Sequence, residues 1–158
     1  MSRDNLSFMK DLLQALRVNE EAMGRFYLAC SEAWPDESSL WMQLALEEEQ
    51  HENIIDQLLT IVEANPDRFS LGRPFEISAI QTYTLAIGEM TGDIRKGSLS
   101  LREALSFAKD MEESFIESRY FEAVRSDSRK FLDLAGKIAF DTDRHRKRLI
   151  QRIERQSG

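Results

Sequence analysis

A single cysteine, Cys30, leaves this chain of 158 residues without an internal disulfide framework and without the thiolate set that an iron–sulfur centre requires. Three prolines and seven glycines are too few turn-formers for the frequent reversals of an all-β chain. No stretch approaches the ~18 consecutive apolar residues of a membrane span. The N-terminal segment MSRDNLSFMKDLLQAL is charged and amphipathic, with neither the apolar core nor the small-residue cleavage site of a signal peptide. A soluble, cytoplasmic chain is therefore expected. Also missing are a Ser-His-Asp order with a nucleophile elbow, a phosphate-cradling glycine loop and zinc-type cysteine spacing. The net charge of −7 disfavours the nucleic-acid backbone as a partner and favours cations.

What is present is helical periodicity. The length suits one domain, residues 1–158, and 31% charged against 42% hydrophobic residues fits long amphipathic helices joined by short loops. Residues 6–33 place Leu13, Leu16, Met23, Tyr27 and Cys30 on one stripe, with Glu20 among them. Pro35 breaks the chain, and a second helix is expected from about 38 to 64, ended by Asn65-Pro66. After the loop DRFSLGRP, a shorter helix over about 76–95 carries Ile77, Ile80 and Ile87 on one side. A third long helix is expected over 99–124 with Leu101, Leu105, Ala108, Phe115 and Ile116 inward and Glu112 on the stripe. The fourth runs from about 128 with Leu132, Ala135, Ile138, Ala139 and Ile150 inward, the tail QSG fraying. The fold class is thus all-α: a four-helix bundle of two hairpins, about 6–64 and 99–156, with a long crossover over 65–98 containing a short extra helix. The basic residues Arg144, Arg146, Lys147, Arg148, Arg152 and Arg155 read as complements to a helix C-terminus rather than as a docking patch.

The only two histidines, His51 and His145, occupy matched places. Phe26-Tyr27 and Tyr120-Phe121 precede them by the same spacing, which suggests a duplicated helical hairpin. Glu48 stands three residues before His51, one turn away on the same helix face, where both can reach one ion or adjacent ions. In the second copy Thr142 takes the glutamate's place, and Asp141, one residue further back and one methylene shorter, shares the face of His145. A di-metal site in a bundle takes one Glu from each of two helices and a Glu-x-x-His pair from each of the others. Glu20, Glu48, His51, Glu112 and His145 fill most of that list, with Asp141 as the substitute at the weak corner. Glu113 competes with Glu112, because it precedes Tyr120 by the spacing that separates Glu20 from Tyr27. Carboxylate and imidazole donors suit iron, manganese or zinc. The competing explanation for acids on apolar stripes is a buried ion-pair network with Arg17, Arg25, Arg102 or Arg119. Trp34, Trp41 and Phe8 read as packing residues and the methionines as gap-fillers.

On NEEAMGRFYLA, LALEEEQHENI, ALSFAKDMEESFIESRYF and DTDRHRKRL, the sequence resembles the rubrerythrin-related proteins of the ferritin-like superfamily over nearly its whole length. The resemblance implies that Glu20, Glu48, His51, Glu112 and His145 hold two metal ions, iron first. It further implies peroxidase, oxidase or ferroxidase-type chemistry on peroxide or oxygen, and a homodimer. Two departures stand out: Thr142 replaces the second bridging glutamate, and no rubredoxin-like cysteine set is present to feed electrons. A helical scaffold or binding module without catalysis is the alternative function.

Overall fold

The computed structural model describes residues 1–157, with the side chains of 156 and 157 left aside; of the QSG tail expected to fray, the first two residues are helical and only the last falls outside the described residues. Among the described residues there are five α-helices, three 3-10 turns and one two-stranded sheet, an all-α architecture in the broad sense. Ser2 caps α1 (Arg3–Ala33), its Oγ accepting from the Asn5 N–H at 3.2 Å, and Pro35 opens a 3-10 turn that reverses the chain. α2 (Ser38–Ala64) returns along α1, so that Lys10 meets Glu63 at 2.8 Å and Arg17 meets Asp56 at 2.7 Å. α3 (Ile77–Arg95) belongs to the crossover but is part of the body: it lies on α1 and buries Ile80, Ile87, Thr91 and Ile94. Ser100 caps α4 (Leu101–Ser118), which packs on α5 (Arg129–Ser157), and α5 in turn packs on α2. Among the described residues no helix is long and apolar enough to cross a membrane.

Two expectations need correction. The third long helix does not continue to residue 124. It stops at Ser118, where Arg119 turns into the left-handed region (φ 51°), and Tyr120–Ala123 form a 3-10 turn. The chain then becomes extended: Val124–Ser126 (β2) pairs antiparallel with Phe69–Leu71 (β1), Phe69 opposite Ser126 and Leu71 opposite Val124. This clip joins the loop after α2 to the loop after α4. The inward stripe of α5 is also rotated. Phe131, Ala135, Ile138, Thr142, His145 and Leu149 are buried, whereas Leu132 is 47% exposed and Ala139 is exposed. Phe131 wins the inward place because its ring packs edge-to-face on Phe69 of the clip, with centroids 5.1 Å apart.

Of the basic residues of α5, Arg155 lies in the last turn, Arg146 and Lys147 pair with Asp143 on the same helix, and three act laterally. Arg144 and Arg148 reach Glu47 on α2, and Arg152 forks onto Glu37 in the α1–α2 turn. The apolar interior is split in two. One cluster joins Leu12, Leu16, Ile54, Leu58, Ile80, Phe131 and Ile138; the other joins Met23, Tyr27, Trp41, Leu44, Ala108 and Leu149. Cys30 is buried in the second cluster, where burial pushes its thiol well up.

Gly72 prolongs the clip, its N–H donating to the Ala123 carbonyl at 2.9 Å, and a Cβ there would fall 2.1 Å from the Glu122 carbonyl oxygen. Gly72→Ala is therefore expected to destabilise the protein by ~1–3 kcal/mol, an overpacking cost with no flexible group to yield. Gly88→Ala on the open face of α3 meets nothing within 4 Å and should stabilise by ~0.4–1 kcal/mol. Denaturant midpoints of the two variants check the pair of opposite signs.

Candidate metal centre

Between the two apolar clusters lies a buried polar layer. Each long helix contributes to it at the level where its stripe passes from one cluster to the other. Glu20 lies between Leu16 and Met23 on α1, Glu48 and His51 between Ala45 and Ile54 on α2, and Glu112 beyond Ala108 on α4. On α5, Asp141, Thr142 and His145 lie between Ile138 and Leu149. All are nearly inaccessible to water. The register of each stripe, rather than any loop, positions these groups.

Two sets of donor atoms converge. Ligand atoms of Glu20, Glu48 and His51 lie within 4.8 Å of one another, and so do those of Glu48, Glu112 and His145. Glu48 belongs to both. His51 Nδ1 is 3.6 Å from a carboxylate oxygen of Glu20 and 3.6 Å from Oε2 of Glu48. His145 Nδ1 is 3.1 Å from Oε1 of Glu48 and 3.3 Å from Oε1 of Glu112. The imidazoles face each other nearly parallel, with centroids 5.6 Å apart.

The outer nitrogens are held crosswise. His51 Nε2 lies 3.1 Å from Oδ2 of Asp141 on α5, and His145 Nε2 lies 2.6 Å from Oε2 of Glu47 on α2. Glu47 and Asp141 each precede their own helix's histidine by four residues, so the two contacts are equivalents in the duplicated pattern. An ionised carboxylate only accepts, so each Nε2 carries a proton and donates it; an imidazole that gives up its other proton turns an Nδ1 lone pair toward the centre. In the sequence Glu47 is one of three consecutive glutamates, 47–49, with no apolar stripe to single it out. Its spacing from His51, identical to that of Asp141 from His145, was the available signal.

The remaining candidates fall into place. Glu112 faces the layer, where its Oε1 accepts a 2.5 Å hydrogen bond from the Tyr27 hydroxyl, while Glu113 lies outside and pairs with Lys109 at 3.7 Å. Asp141 contacts the histidine of the other hairpin rather than that of its own. It sits behind His51, also accepting from Lys137 Nζ at 3.0 Å, and belongs to neither donor set. Thr142 is buried but its hydroxyl donates to the Ile138 carbonyl at 2.7 Å, satisfied within its own helix. The arginines that could have neutralised the layer lie elsewhere: Arg17 pairs with Asp56, Arg25 with Glu21 and Arg119 with Glu122, and Arg102 is exposed. The duplication is incomplete as well, since Tyr120 lies in a 3-10 turn rather than in a helix.

No protein-family model, curated protein or solved structure matches this chain. The geometry therefore stands by itself. Among the described residues three buried side-chain atoms lack a hydrogen-bond partner, and two of them, Glu48 Oε2 and His51 Nδ1, face each other in the first donor set. An unpaired buried acceptor costs ~1–3 kcal/mol, and a cation seated between these atoms would satisfy both. Buried glutamate and histidine groups that could hold a metal ion are thus a property of this fold.

Without a cation, protons neutralise the layer. Burial, reinforced by the charge of Glu48, pushes the Glu20 carboxyl up to about 8. Burial opposes the charged imidazoles, but Glu20 and Glu48 outweigh it at His51, and Glu112 and Glu48 outweigh it at His145, pushing each up to about 11. At Glu48 burial is likewise outweighed, by hydrogen bonding to Glu20, His145 and His51, and the group is held below the usual carboxylate range.

For chelator-treated protein the signs are fixed. All three raised groups bind protons more tightly folded than unfolded, so the stability they contribute is complete below their ordinary values of 4.5 and 6.5. It is lost as pH rises through about 8 for Glu20 and about 11 for the histidines. Thermal midpoints of chelated protein should fall steadily from pH 6 to pH 10, and a flat profile would contradict the assignment. Separately, Asp141→Asn and Glu47→Gln, which weaken the grip on the outer nitrogens, should lower metal affinity by ~10–100-fold in equilibrium titrations.

Proposed function

We propose that this chain is a metal-binding helical protein of the rubrerythrin-related, ferritin-like kind, whose two donor sets hold a pair of iron ions for reaction with peroxide or dioxygen. The observation that carries this reading is Glu48, the carboxylate common to two sets that each hold one further Glu and one His. A shared carboxylate between two such sets suits two adjacent cations. Oxygen and imidazole donors favour iron, with manganese and zinc compatible.

A bound iron pair would supply two electrons to an oxidant. Everything else falls to the chain. Glu48 would bridge, Glu20 and His51 would complete one position, and Glu112 and His145 the other. Glu47 and Asp141 hold the imidazole tautomers. Glu20, protonated near neutrality without metal, would give up its proton when a cation arrives. Access is narrow. A cavity of about 20 Å³ lined by Glu20, Glu48, Glu112, Tyr83, Met111 and Tyr120 is the approach to the carboxylates. One water needs ~10–15 Å³, so dioxygen or peroxide fits this approach better than a bulky organic substrate.

A second reading, a bundle that binds no functional metal and serves as scaffold or binding module, is favoured by Thr142. Its hydroxyl is turned back onto its own helix, leaving three carboxylates in the two donor sets where a second bridging glutamate would give four. Anaerobic reconstitution with Fe(II) followed by elemental analysis separates the readings. Two irons per chain are expected, about one in Glu20→Ala and none in Glu48→Ala, and peroxide added to the loaded protein should oxidise the bound iron. Metal-free protein after reconstitution would leave only the scaffold reading.

A further inference from the structure

The polar layer is sealed from bulky reductants, and the chain's one cysteine cannot build an electron-transfer centre of its own. Both of its tryptophans, however, lie on one line that ends at a donor-set glutamate. Trp34, half-buried at the C-cap of α1 among exposed neighbours, contacts Trp41 with ring centroids 6.5 Å apart. Trp41, fully buried, stacks on Tyr27 at 5.9 Å and an interplanar angle of 27°. Tyr27 donates to Oε1 of Glu112 at 2.5 Å. Both ring spacings lie within the ~4.5–7 Å of aromatic pairs in contact. The other two tyrosines are placed differently: the ring contacts of Tyr120 are with Phe75 and Phe115, and both Tyr83 and Tyr120 line the small cavity.

We infer that Trp34, Trp41 and Tyr27 form a one-electron relay from the protein surface to the Glu112 end of the metal site. The role of the relay rests on the metal-binding reading above. Each transfer balances. Tyr27 loses one electron to the oxidised site while its phenolic proton crosses the short hydrogen bond to Glu112, leaving a neutral tyrosyl radical. Trp41 returns an electron to Tyr27 as the proton moves back from Glu112, Trp34 refills Trp41, and a one-electron reductant at the surface refills Trp34. The net change is one electron from that reductant to the site with no proton consumed in the relay.

Trp41 Nε1 is the third buried atom without a hydrogen-bond partner among the described residues. An unpaired N–H costs ~1–3 kcal/mol, and in a relay it has a use. With no acceptor to take its proton, an oxidised Trp41 remains a radical cation, strongly oxidising and quick to be refilled.

The test uses the full chain stripped of metal, so that a protein unable to bind iron still reports on the relay and the two readings fail separately. A soluble ruthenium polypyridyl photo-oxidant, flashed in the presence of a quencher, oxidises tryptophan at the surface, and transient absorption follows the radical inward. The flash draws the electron outward through the same contacts that serve the inward direction. Wild-type protein should show a tryptophan radical converting to a tyrosyl radical. Tyr27→Phe should abolish the tyrosyl product, Trp41→Phe should slow its appearance by an order of magnitude, and Trp34→Phe should lower its yield. Trp34 is half-buried, so that variant keeps the core intact, and circular dichroism verifies folding of all three. Tyrosyl formation unchanged in Tyr27→Phe, or equally fast in Trp41→Phe, would overturn the relay and leave the three rings as core packing.

Discussion

Burying Glu20, Glu48, Glu112, His51 and His145 in one layer, between two apolar clusters, is the constraint on which the rest of this structure depends. Isolated charges in such a place are prohibitive. They persist because each group has a counterpart: carboxylates against imidazoles inside, and Asp141 and Glu47 behind the rings. The outer carboxylates are in turn held by cations at the surface, Asp141 by Lys137 and Glu47 by Arg144 and Arg148. The nested arrangement runs from solvent to centre, and it requires α2 and α5 to lie side by side in one register. The β clip and the α3 crossover keep the ends of the two helical hairpins in place while that register is met.

The polar layer and the relay share this logic. Positive charge is welcome at the centre, whether it arrives as protons on Glu20, His51 and His145 or as cations among the same donors. The competition explains why metal uptake should be linked to pH. It also gives Tyr27 its position, since the hydroxyl that satisfies Glu112 is the group through which a proton and an electron can part company.

Much of this was legible in the sequence because helices write their burial in a 3.6-residue period. Glu20 and Glu112 were visible as acids on apolar stripes, and the histidines as the only pair in matched places. The bounds of α2 follow from Pro35 and Asn65-Pro66. Where the reading failed, the cause was tertiary. Three-residue strands are too short to show alternation, so the clip at Phe69–Leu71 and Val124–Ser126 left no trace. Arg119 carries none of the signals of a left-handed helix end, a place usually given to glycine, and the third helix was drawn too long. Leu132 lost its inward place to its neighbour Phe131 because Phe69 waits on that side. Asp141 shares a helix face with His145, yet its partner, His51, lies on the other hairpin; no intrahelical spacing encodes that contact.

The central claim is that Glu48 is shared by two metal positions. Anomalous diffraction at the iron edge from crystals soaked in Fe(II) tests it most directly. The account predicts two peaks ~3.5–4 Å apart, astride the Glu48 carboxylate, with Glu20 and His51 around one and Glu112 and His145 around the other. A layer without anomalous density, with iron found only on surface carboxylates, would contradict it.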